Sequence, residues 1–151
     1  MTAVMVPTSA VVTQLLFDMQ TLLETNASLT GKTLMSYGVE ELIDKMKGLT
    51  PPCAGIVYEG MRSVGDPGVT NKQGLAAEAV VSIVLFTRPG TISSADTVTP
   101  ALTLLDEVRK SIRGHRNPGG HLWKFVVEAQ AAARAGTLVY IQRWSTPVLL
   151  T

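Results

Sequence analysis

The chain has 151 residues, enough for one domain whose core buries roughly two thirds of the surface an unfolded chain exposes. Thirteen Lys and Arg against twelve Asp and Glu leave a formal charge of +1, so no whole-chain field draws it to nucleic acid or an anionic membrane. Charged residues make up only 17%, below the roughly 25% of ordinary soluble domains, so the surface is short of solvating charge: either it is rich in Ser, Thr and Gln, or part of it is covered by other chains.

The amino terminus, MTAVMVPTSAVV, has no basic start, and the apolar run after it is broken by Gln14, Asp18 and Gln20; it reads as neither signal peptide nor membrane span. Thr8 or Ser9 can cap a helix running to about Thr25, because Leu15, Leu16, Met19, Leu22 and Leu23 recur at helical spacing. A shorter helix is predicted over Val39 to Lys47, with Val39, Leu42, Ile43 and Met46 on one face and Gly48 placed to end it.

After Pro51-Pro52 the period changes. Gly55 to Val64 and Leu75 to Arg88 read as strands joined by the Gly65 to Gly74 loop, far longer than a tight hairpin needs. Thr99-Pro100 predicts a helix start, Leu104, Leu105, Val108 and Ile112 its buried stripe, and Gly114 its left-handed end. Leu122 to Ala133 alternates, with Trp123, Phe125, Val127 and Ala129 on one side and Lys124, Glu128 and Gln130 on the other. Arg134-Ala-Gly136 turns into a last strand from about Thr137 to Thr146. The expected fold is a single α+β domain over residues 1–151, order ααββαββ, with an antiparallel sheet of about four main strands packed with two or three helices.

Such a sheet would be roughly 19 Å wide and 40 Å long, and its second face is not very polar: Val80, Val84 and Phe86 lie opposite Ala79, Val81, Ile83 and Leu85. Three modest helices are expected to leave part of it for a neighbouring subunit.

Leu104 to Gly120, LLDEVRKSIRGHRNPGG, is the one basic cluster. Its glycines follow the helix, so they present carbonyls and the negative dipole end rather than a phosphate cradle. Arg109, Lys110, Arg113, His115 and Arg116 are therefore read as a solvated helix end with an interface role open to it, a basic rim for an acidic partner. His115 and His121 have no Cys, Asp or Glu beside them in the loop to complete a zinc set. The single Cys53 excludes an internal disulfide and reads as a small buried residue. No nucleophile elbow, phosphate loop, paired-Cys motif or His-Glu-x-x-His appears, and aromatics do not interleave with basic residues as a nucleic-acid platform requires.

An amino-terminal helix, a strand pair around a long loop, a helix TPALTLLDEVRKSIRG and a closing hairpin ending VYIQRWST together resemble the tail terminator proteins of tailed bacteriophages, those of contractile tails most closely. The likeness runs from Ala54 to the carboxyl end and more loosely over the first helix; the helix near Val39 to Lys47 departs from it. The resemblance implies a virion protein of the tail or neck, assembled in the host cytoplasm as a hexameric ring. Such a ring caps the head-proximal end of the tail tube, stops its polymerisation, and docks the head-tail connector and the last ring of sheath protein. It implies no catalytic centre, no cofactor, no metal, no membrane and no sequence-specific nucleic acid. The contacts expected are Asp66, Asn71 and Lys72 in the Gly65 to Gly74 loop, Arg88 in the Arg88 to Thr99 loop, and the basic helix end through Arg116. Another neck or head-completion adaptor, a tube-like subunit, and a small-molecule-binding or enzymatic α+β domain are the alternatives.

Overall fold

The structure is a computed structural model and describes residues 8–36, 38–63, 75–87, 95–134 and 137–150. In chain order the elements are α1 (Thr8–Glu24), β1 (Thr33–Ser36), α2 (Val39–Met46), β2 (Cys53–Ser63), β3 (Leu75–Thr87), α3 (Ala95–Ile112), β4 (Lys124–Arg134) and β5 (Thr137–Leu150). The α+β class is as expected, but the sheet has five strands in the order β1-β2-β3-β5-β4, and β1 joins it parallel while every other pair is antiparallel.

β1 was not expected, and the reason is physical. Its four residues, Thr-Leu-Met-Ser, are too few to show a period, and their pairing with Ala54 to Val57 is non-local. The helix spans Ala95–Ile112 and so begins before Thr99-Pro100; Pro100 falls in its second turn, where the missing N–H removes one intrahelical hydrogen bond. The last strand continues through Pro147 to Leu150. The Pro147 carbonyl accepts from Asn117 Nδ2 rather than from β3, and a strand residue's amide and carbonyl point the same way, so the missing N–H costs the ladder nothing.

α1 and α3 cover one face of the sheet. Leu15, Met19, Leu22 and Leu23 of α1 and Leu104, Leu105, Val108 and Ile112 of α3 pack with Ile56, Val81, Ile83, Leu85 and Trp144. The second face is divided. At the end nearest Cys53, α2 lays Leu42 and Met46 over Cys53, Val57, Val84, Phe86 and Val139. The other end carries ion pairs across the strands, Glu59 with Arg143 and Glu78 with both Arg62 and Lys124. The expectation of a broadly apolar second face therefore holds only for the half that α2 hides. Glu59 can span β3 to reach Arg143 because the register shifts between Tyr58 and Gly60, where Gly60 takes φ +129°, open to glycine and strained for other residues.

Candidate functional site

α3 ends as its sequence predicts. Gly114 takes φ +82°, and the His115 amide donates to the Ile112 carbonyl. The chain then makes a tight loop organised by Asn117, which is buried. Its Nδ2 donates to Thr146 Oγ1 (2.8 Å) and to the Pro147 carbonyl (3.0 Å), and its Oδ1 accepts from the His121 amide (3.1 Å). This loop sets the distance between α3 and β4, and so the width of what lies between them.

That space is an open groove of about 400 Å³ lined by Asp106, Arg109, Lys110, Arg113, Trp123, Phe125 and Trp144. Asp106, Arg109 and Lys110 of α3 and Arg113 just past its end fall at i, i+3, i+4 and i+7, one helical stripe that the Arg113 amide continues by donating to the Arg109 carbonyl. The stripe overhangs β4, because Arg109 reaches down to an ion pair with Glu128 on that strand. Gln142, fully buried, ties the floor together: its Nε2 donates to Glu128 Oε1 (2.8 Å) and to the Leu105 carbonyl (3.1 Å), and its Oε1 accepts from Trp144 Nε1 (3.2 Å). Phe125 meets Trp144 edge to face at 5.4 Å between ring centres. Trp123 is buried and donates from Nε1 to Asp18 Oδ2 (3.2 Å).

The charges do not cancel. Asp106 is held by Lys110 (2.8 Å) and Arg109 (3.6 Å), and the hydrogen bond from Lys110 keeps its carboxyl below the ordinary carboxylate range. Glu128 is engaged by Arg109. Arg113 is exposed, and among the described residues its guanidinium has no partner. His115 beside it is exposed too, whereas Arg116 folds back to donate to the Gly120 carbonyl (2.8 Å). Of the five basic residues expected as a rim, Arg109, Lys110 and Arg113 are brought into the groove, and His115 and Arg116 lie in the loop after the helix. Asp66, Asn71, Lys72 and Arg88 lie outside the described residues.

β4 itself departs from the alternation read in the sequence. Register shifts between Phe125 and Val127 and between Gln130 and Ala132 re-phase the strand, so Phe125 and Glu128 pair with Trp144 and Gln142 on the α3 side, while Val127 and Ala129 pair with Arg143 and Ile141 on the other. Among the described residues β4 pairs with β5 alone and forms one edge of the sheet. Phe125, Val126 and Val127 are exposed by 48%, 46% and 40%, and Leu122 just before them by 42%. The sequence reading missed Asn117, Glu128 and Gln142 as organisers of this region. Nothing local marks them as such, since the bonds that tie them to other elements, to Thr146, Leu105 and each other, span 14 to 37 residues.

Among the described residues, no cluster of His, Cys, Asp or Glu could hold a metal ion, and no helix is long and apolar enough to cross a membrane. No protein-family model matches the chain, and no curated protein matches its sequence significantly.

Proposed function

We propose that the protein is a structural ring subunit of a phage-like tail, a tail terminator that caps the head-proximal end of the tail tube. The observation that carries this reading is the open β4 edge, an eleven-residue strand whose first half presents Phe125, Val126 and Val127 to water. Val126 and Val127, the two that serve the contact between copies, leave on the order of 100 Å² of apolar surface wet, which at ~25 cal/mol per Å² amounts to about 2–3 kcal/mol recovered by assembly. Between Lys124 and Glu128 this edge carries no charge, and an apolar edge stretch is a pairing hazard unless it has a partner.

In this reading, copies contact one another through Val126, Val127 and the adjoining sheet face, and rotation closes them into a ring of about six. One rim receives the tube and sheath proteins and the other the head-tail connector. The protein works at the neck of the virion after assembling in the host cytoplasm. No chemistry is required of it: the groove's two carboxylates are both engaged by cations, which leaves neither as a ready general base.

The test is light scattering and negative-stain imaging of the purified protein, followed by mixing with a phage tail tube protein. Closed rings that halt tube growth are expected, and Val127→Lys should shift the protein to a folded monomer. Open stacks or tubes would favour a tube-like subunit, and rings that bind a portal but not tubes a neck adaptor. A monodisperse monomer at high micromolar concentration would overturn the reading.

A further inference from the structure

We infer that the groove between α3 and β4 is a docking site for an acidic peptide segment of another protein, one with an apolar residue flanked by carboxylates. This goes beyond the ring reading and does not depend on it. Val127, which serves the proposed contact between copies, lies on the opposite side of the sheet from the groove.

Charge complementarity argues for this occupant. The groove and its floor hold three cations, Arg109, Lys110 and Arg113, against two anions, Asp106 and Glu128. Both anions are already satisfied, so among the described residues the cation left without a partner is Arg113, a planar fork suited to a carboxylate. Lys110, largely exposed, adds a second positive head along the same helix stripe. His115, next in the chain after Gly114, is exposed beside them.

The floor supplies the apolar half of the recognition. Phe125 stands half out of the groove, its ring braced edge-on by Trp144, whose Nε1 donates to Gln142 Oε1 while Gln142 Nε2 donates to Glu128. An apolar side chain laid on Phe125 would lose water on both partners, and a carboxylate one or two residues along the segment would reach Arg113. A basic or purely apolar segment would leave Arg113 facing a like charge or nothing.

Both tryptophans of the chain line this groove, so intrinsic fluorescence reads its occupancy directly. The probe is a short synthetic peptide that alternates aspartate with valine around a central phenylalanine, compared with the same peptide carrying lysine for aspartate. The acidic peptide is expected to change tryptophan emission saturably, at least about tenfold more tightly than the basic one, and less tightly as salt rises. Arg113→Glu should invert that preference, and Phe125→Ala should weaken the acidic peptide severalfold. Lys47→Glu at the end of the far helix α2 should leave binding unchanged. Equal binding of the two peptides, no saturable change with either, or an Arg113→Glu variant that keeps the acidic preference would overturn the inference. Because each variant is measured by peptide binding and not by ring formation, a monomeric protein that binds the peptide sinks only the ring reading, and rings that ignore it sink only this one.

Discussion

Gly55 sits near the start of β2 on the face that α2 covers, against Leu42 of that helix. A methyl group built at Gly55 would lie 2.5 Å from Leu42 Cγ and 2.6 Å from Leu42 Cδ1. Ordinary carbon contact needs ~3.5–4.0 Å, so Gly55→Ala must push the leucine, and α2 with it, about 1 Å off the sheet. Overpacking of this kind costs about 1–3 kcal/mol, offset by roughly 0.5–1 kcal/mol from the stiffer unfolded chain. The net loss expected is about 1–2 kcal/mol, seen as a fall of about 1 M in the urea midpoint. The decisive measurement is the double-mutant cycle. Leu42→Ala alone should cost about 2–5 kcal/mol through the cavity it opens. In that background the methyl at position 55 enters empty space, so adding Gly55→Ala should be neutral or stabilising by up to about 1 kcal/mol. A Gly55→Ala protein as stable as the parent, or one whose loss is the same with and without Leu42, would refute the claim that close approach to this side chain selects glycine.

Two further outcomes concern groups that the same packing removes from water. Burial pushes the Cys53 thiol up to about 11 despite the nearby Lys32, so at pH 8 only about one molecule in a thousand carries a thiolate. A disulfide reagent should label it at the rate of unfolding, and a fast phase in native buffer would contradict that burial. The folded chain keeps this proton where the unfolded chain releases it, so the contribution to stability is complete below about pH 9 and declines as pH rises towards about 11; a Cys53→Ser variant should lose that decline. Asn117→Ala strips the donors from Thr146 Oγ1 and the Pro147 carbonyl and the acceptor from the His121 amide. A loss of about 2–3 kcal/mol and faster hydrogen exchange at His121 are expected, and unchanged exchange there would show that the loop is held by something else.

Local order was legible in the residues alone wherever a stripe or a turn residue repeats within one element. The stripes of α1 and α3, the left-handed Gly114, and the division of β3 into an Ala79, Val81, Ile83, Leu85 side and a Val84, Phe86 side follow from period and side-chain size, which each element carries within itself. The low charge and the absence of catalytic motifs were equally plain. What tertiary structure decided depends on residues distant in the chain. β1 exists only because Ala54 to Val57 lie beside it, and the phase of β4 changes only where its pairing with β5 slips. Arg109, Lys110 and Arg113 became one wall of a groove only when Glu128, Gln142 and Trp144 arrived beneath them. Periodicity reports which side of an element faces away from water. It carries no information about which other element provides that shelter, because non-local contacts are chosen by the packing of the whole chain.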